Sequence, residues 1–154
     1  YRDYLMHHSP QVVKAGEIVT KTGEVVGRHD GVAFYTIGQK RGLDTTLQNV
    51  AIIDIDATNN RLIIGNNDDL YHSILEVKTC NIVNPQEFLS SADIRVVVRG
   101  IGRNPEGYIS RVEEIDGGYR IHLENPAWAP AIGQPVVFYR DKRVIGGGVL
   151  EKFM

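Results

Sequence analysis

From Lys14 onward the sequence is a succession of short β-branched and aromatic runs, each cut off by glycine, asparagine or aspartate. Runs of this length and spacing cannot build long helices; they predict short strands joined by tight turns. Residues 17–20 and 24–27 flank Lys21-Thr22-Gly23 and predict a hairpin. Residues 32–37 read as a strand ending at Gly38. Residues 49–56 turn through Thr58-Asn59-Asn60 into 61–65, a second hairpin. Further strands are predicted over 74–83, 94–101, 108–115, 119–123, 136–139 and 143–150, and one short helical turn over 85–89. Tyr119, Ile121 and Leu123 alternate with Arg120, His122 and Glu124, which marks a strand with one buried and one wet face. Ile109, Val112 and Ile115 have helical spacing inside an otherwise strand-like run.

The fold class these runs predict is all-β, with a small antiparallel barrel. Closing the sheet on itself removes the edges that an open sheet of many short strands would expose. The polar stretch Asn66-Asn67-Asp68-Asp69 is the strongest boundary signal. The expected division is a remnant of an upstream domain or linker over 1–13, the small β-domain over 14–73 and the barrel over 74–154. At 42% hydrophobic and 23% charged residues the chain is no disordered tail. Its single cysteine rules out a disulfide scaffold and suits a reducing, cytoplasmic compartment. No apolar run reaches the roughly 18 residues needed to cross a bilayer, so no membrane partner is expected.

The usual catalytic signatures are missing. There is no G-x-x-x-x-G-K-[ST] loop, no G-x-G-x-x-G and no C-x-x-C. Cys80 reads as a small buried hydrophobe. The adjacent His7 and His8 have no matching ligand pattern, so no metal site is expected. Asp54 and Asp56 lie beside a turn rather than forming an acid–base pair. Gly146-Gly147-Gly148 follows a strand and predicts close backbone packing. No catalytic residue is assigned.

Two stretches carry more chemistry. In 29–43, glycines bracket Gln39, Lys40 and Arg41, three donors suited to phosphate or a base edge. In 99–103, Arg99 and Arg103 flank Gly100-Ile101-Gly102, and Gln134 sits between Gly133 and Pro135, offering donor and acceptor together. Net charge is −2, so nucleic acid would be met locally rather than by a cationic surface. Seven of the ten cations in residues 75–154 are arginine, whose planar fork suits phosphates and stacked bases.

The series His29-x-Gly31-x-x-x-Tyr35-Thr36-Ile37-Gly38-Gln39-Lys40-Arg41-Gly42-Leu43, then Pro130-x-x-Gly133-Gln134-x-x-Val137-Phe138-Tyr139, then Gly146-Gly147-Gly148-Val149-Leu150 resembles the C-terminal part of the bacterial tRNA-specific 2-thiouridylases. Tyr1 to Leu5 is similar to the family segment that follows its second catalytic cysteine. The resemblance implies a small central β-domain followed by an antiparallel β-barrel resembling those of translation factors, whose family role is tRNA binding. It also implies a parent enzyme that adenylates the wobble uridine of glutamate, glutamine and lysine tRNAs with ATP. A cysteine persulfide, charged by a sulfur-relay donor protein, would then deliver sulfur to C2. The ATP-binding domain and both catalytic cysteines would lie upstream, leaving this portion without cofactor and inactive alone. Residue by residue, Gln134 falls on a tRNA-contacting position. The segment from Arg99 to Arg103 falls on the family's K-x-R-Y-R stretch, with Ile101 and Gly102 in place of its Arg-Tyr pair. Gln39, Lys40 and Arg41 are expected to meet tRNA or the catalytic domain. The alternative is a non-catalytic barrel for protein interaction whose arginines merely solvate it. An intact small enzyme and a translation-factor-like barrel are further rivals.

Overall fold

The computed structural model describes residues 7, 13–90, 92–98 and 107–154. The chain divides into two compact units, the first ending at Leu70 and the second running from Tyr71 to Met154.

The first unit is a five-stranded sheet. β1 (Gly16–Thr20) and β2 (Val25–His29) form the expected antiparallel hairpin, with Gly23 in the left-handed region at φ 87° in their connection. β3 (Asp44–Thr45) adds to the outside of β2. β4 (Ala51–Asp56) and β5 (Arg61–Gly65) form the second hairpin. The order is β3-β2-β1-β5-β4, with β1 and β5 parallel. Ile18, Ile52, Leu62 and Ile64 are buried at its centre.

One predicted strand is corrected here. Residues 32–34 form a 3₁₀ turn (Val32–Phe34) rather than the start of a strand over 32–37. The cause is His29, 2% exposed, whose Nδ1 accepts the Gly31 N–H at 3.0 Å. That assigns the proton to Nε2, which donates to the Asn60 carbonyl at 3.1 Å. The ring of Tyr35 meets the imidazole edge-on, with centroids 5.8 Å apart. A side chain that captures a backbone donor two residues on bends the chain more strongly than β-propensity extends it.

The second unit contains β6 (Tyr71–Ile82), α1 (Pro85–Leu89), β7 (Ile94–Val98), β8 (Gly107–Ile115), β9 (Gly118–Trp128), β10 (Pro135–Arg140) and β11 (Arg143–Phe153). Its strands close into a barrel in the order β10-β11-β6-β9-β8-β7, every pair antiparallel. Asn84 caps α1, its Oδ1 accepting the N–H groups of Gln86 and Glu87 at 3.1 and 3.2 Å, and Pro85 opens the first turn. That single turn places Phe88 in the barrel core, 4.5 Å from the Phe138 ring and edge-on to Tyr119 at 4.9 Å. The helical spacing of Ile109 and Val112 also finds its reason. The pairing of β8 with β9 slips between Ile109 and Arg111, and this bulge turns residues three apart to the same buried face. Gly148 is required where β11 crosses β6, because an added Cβ would fall 2.6 Å from Val77 Cγ1 and 2.7 Å from the Lys78 carbonyl oxygen.

Candidate nucleic-acid interface

Gln134 closes a turn that begins at Ala131. Its N–H donates to the Ala131 carbonyl at 3.2 Å, and Gly133 at φ 87° takes the left-handed position that a type II turn demands. The Gln134 side chain then reaches back, its Oε1 accepting the Ala131 N–H at 2.9 Å. The turn is anchored to β11 by Gly133 N–H to the Leu150 carbonyl (2.8 Å) and by Leu150 N–H to the Gln134 carbonyl (2.9 Å). Half-buried and held in this way, Gln134 keeps its Nε2 donor without an acceptor among the described residues. Ile132, at the tip, is 62% exposed.

Arg99, Ile101, Gly102 and Arg103 lie outside the described residues. β7 reaches Val98, which pairs with Val136, two positions from Gln134. Gln134 and the end of β7 therefore occupy one rim of the barrel.

The loop carrying Gln39, Lys40 and Arg41 belongs to the first unit. Gln39 Oε1 accepts the Thr36 N–H at 3.2 Å, and its Nε2 donates to the Arg41 carbonyl at 2.8 Å. Both ends of this side chain are thus occupied in shaping the loop. Lys40 Nζ donates to Asn67 Oδ1 at 3.0 Å, while Arg41 is exposed. A groove of about 590 Å³ runs alongside, lined by Lys40, Leu43, Leu47, Gln48 and Asn49 among others.

The arginine-rich half is laced with ion pairs. Arg111, Arg120, Arg140 and Arg143 are each tied to a carboxylate. Arg111 meets Glu113 at 3.3 Å, Arg120 meets Glu76 at 2.8 Å, and Arg140 and Arg143 share Glu87 at 2.7 and 2.5 Å. Such exposed pairs contribute little stability, yet they occupy the guanidinium forks that phosphate would use. Each carboxylate is held below its ordinary range, Glu87 by the Arg143 hydrogen bond first, Glu76 by Arg120 and Glu113 by His122. The Arg95 guanidinium lies over the Tyr139 ring, 5.1 Å from its centroid. Sequence reasoning did not single out Arg95, Tyr108 or Tyr139 as a group. Their outward parity on three strands was the available signal.

Cys80 is half-buried, its thiol 3.3 Å from the Val77 carbonyl and pushed up in pKa by burial. Asp56 accepts from the Asn59 backbone and side chain, closing the turn after β4. Among the described residues no group of His, Cys, Asp or Glu could hold a metal ion, and no helix is long and apolar enough to cross a membrane.

Comparison with known proteins aligns both units in chain order. Residues 2–66 match the family model described as the tRNA methyl transferase PRC-barrel domain, and residues 72–150 match the aminomethyltransferase beta-barrel domain. The tRNA-specific 2-thiouridylase MnmA of Natranaerobius thermophilus is 37% identical over 155 residues, covering 99% of this chain. The chain belongs to the tRNA-specific 2-thiouridylase family. A second 2-thiouridylase, from Clostridium perfringens strain 13, is 32% identical over 152 residues and covers 98% of the chain. The chain spans about two fifths of the length of these relatives, 41% and 42% respectively. Within the 2-thiouridylase family the segment in hand is therefore the sheet unit and the barrel. No phosphate loop or pair of cysteines occurs in its sequence.

Proposed function

We propose that this chain is the tRNA-engaging, non-catalytic portion of a tRNA 2-thiouridylase. The observation that carries the reading is the ordered pair of family matches over nearly the whole chain, joined to relatives named as tRNA-specific 2-thiouridylases. The parent enzyme would activate C2 of the wobble uridine with ATP and replace its oxygen with persulfide sulfur supplied by a relay protein. Those steps belong to residues this sequence does not contain, since its one cysteine is half-buried and unactivated. The chain alone would be inactive. Its part is to hold glutamate, glutamine and lysine tRNAs in register, using Gln134 on the barrel rim together with Arg99 to Arg103, with Gln39, Lys40 and Arg41 as a further contact. Phosphate contacts would set position and few base edges would be read. The setting would be the cytoplasm, where the tRNA is.

A filter-binding titration tests this. The chain should retain a glutamate tRNA more tightly than a random RNA of similar length. Equal or absent retention would favour the rival protein-interaction module, to which the carboxylate-tied arginines also lend support.

A further inference from the structure

The groove of about 590 Å³ beside the Gln39 loop runs along the outer strand of the first unit. Thr45 of β3 lines it, and β3 stands at the end of the sheet order, next to β2. Thr45 is the register partner of Gly27, yet it is the Thr46 N–H that donates to the Val26 carbonyl, at 3.1 Å. Hydrogen-bonded positions alternate along an antiparallel pair. Asp44 and Thr46 therefore turn their backbone groups to β2, and Thr45 turns its N–H and C=O to the open side. The Thr45 hydroxyl locks this arrangement, donating to the Val26 carbonyl at 3.0 Å and accepting the Leu47 N–H at 3.3 Å. A half-buried residue thus presents one donor and one acceptor side by side, in fixed positions.

Two further features of the groove narrow its occupant. Leu47, 41% exposed, forms an apolar wall with Leu43 and Val50. Lys40 stands in the lining with an ammonium of three N–H groups, of which Asn67 Oδ1 takes one at 3.0 Å. A donor beside an acceptor matches the Watson–Crick edge of any base, and that edge is offered only by an unpaired one. The apolar wall suits the face of a base, and the ammonium suits its phosphate. An extended peptide could also bond Thr45, but a two-residue outer strand is too short to recruit another strand, and a peptide leaves Lys40 unused. We infer that this groove seats one unpaired nucleotide, with its base edge on the Thr45 backbone, its base face on Leu47 and its phosphate on Lys40. This site rests on the reading of the chain as tRNA-engaging and gives the first unit an RNA contact of its own.

The test uses the 154-residue chain, isotope-labelled for amide NMR, with uridine 5′-monophosphate as the first probe. The second is a fluorescein-labelled single-stranded oligouridylate, with a fully paired RNA duplex of equal length as control. The nucleotide should move the Thr45 and Leu47 amide resonances, and the oligouridylate should bind more tightly than the duplex. Leu47→Glu alters an exposed side chain and keeps the backbone bond to Thr45. It should weaken oligouridylate binding about tenfold by setting a carboxylate where the nucleotide enters. Lys40→Gln keeps a donor for Asn67 but loses the charge, so the slope of log affinity against log salt should fall by about 0.7, the single-strand value for one phosphate. Lys40→Arg should keep the slope. Tight oligouridylate binding with an unmoved Thr45 amide and no effect of Leu47→Glu overturns the site while the tRNA reading stands. Nucleotide shifts without oligouridylate binding overturn the assignment to RNA. Failure of both probes overturns the site as well, and retention of tRNA on the filter then decides the tRNA reading separately.

Discussion

Gln39 and Gln134 perform the same task in different units of the chain. Each carboxamide oxygen accepts the backbone N–H three residues upstream, from Thr36 and from Ala131. Each follows an Ile-Gly pair whose glycine stands at φ 87°, and each turn is pinned by two backbone hydrogen bonds to one apolar residue, Ile52 or Leu150. The difference is at Nε2, which Gln39 donates to the Arg41 carbonyl and Gln134 does not donate to any described residue.

That difference separates turn formation from recognition. Gln134→Glu keeps an oxygen acceptor for Ala131 but loses the donor. It should melt within a few degrees of the original chain while binding tRNA more weakly. Gln134→Ala should lose both, including about 1 kcal/mol of stability from the missing hydrogen bond, measured by urea denaturation. Equal tRNA affinity for Gln134→Glu and the original chain would show that the side chain serves the turn alone.

The left-handed glycine makes its own prediction. Around Gly133 an added Cβ meets nothing, so Gly133→Ala is penalised only by its dihedral angle, about 1–2 kcal/mol. Gly16→Ala should cost more, because there the new Cβ would run into the Asn60 carbonyl oxygen and the His29 ring. Urea midpoints of the two variants give the ordering.

Both nitrogens of His29 are engaged inside the first unit. His29→Phe keeps the ring volume but strands the Gly31 N–H and the Asn60 carbonyl. It should cost about 2–4 kcal/mol, the sum for two unsatisfied groups. A variant as stable as the original would show that neither bond matters to the turn.

Acid should weaken the ion pairs of the barrel in a defined direction. Glu87 is held below the ordinary carboxylate range by Arg143 and Arg140, so the folded state releases its proton more readily than the unfolded chain. Its contribution is complete above the ordinary range, near pH 4–5, and is lost as pH falls through the depressed value. Glu87→Gln should therefore flatten the loss of stability on acidification while leaving the neutral-pH curve similar in shape. Chemical denaturation at stepped pH reads this directly.

Arg99 and Arg103 are tested by salt. If each meets a phosphate, Arg99→Ala and Arg103→Ala should each lower the slope of log affinity against log salt by about one. Unchanged slopes in both variants would remove them from the interface.

Much of the fold could be read along the chain because its signals are local. The alternation of Tyr119, Ile121 and Leu123 matches a strand whose Ile121 and Leu123 are buried. The turn at Pro85 to Leu89 is announced by its asparagine cap and first-turn proline. What escaped depends on distant partners. Val32 to Phe34 carries strand-forming residues, and only the capture of Gly31 by His29 bends it into a turn. The parallel pairing of β1 with β5 joins residues far apart in sequence and has no local mark. The Tyr108–Arg95–Tyr139 row exists only through the register of β7 with both neighbours, so no single segment displays it. Arginine composition fits phosphate contacts and a solvated surface of ion pairs alike, and only the structure ties Arg111, Arg120, Arg140 and Arg143 to Glu76, Glu87 and Glu113.

The five-residue helix between β6 and β7 has two unlike neighbours side by side. Phe88 fills the barrel interior, and Glu87 beside it grips Arg140 and Arg143 on the outside. Interior fit and exterior charge are thereby mechanically joined. Loosening the plug would release Arg140 and Arg143 from their shared carboxylate, so a mutational screen scored on ligand affinity would flag positions no ligand ever touches.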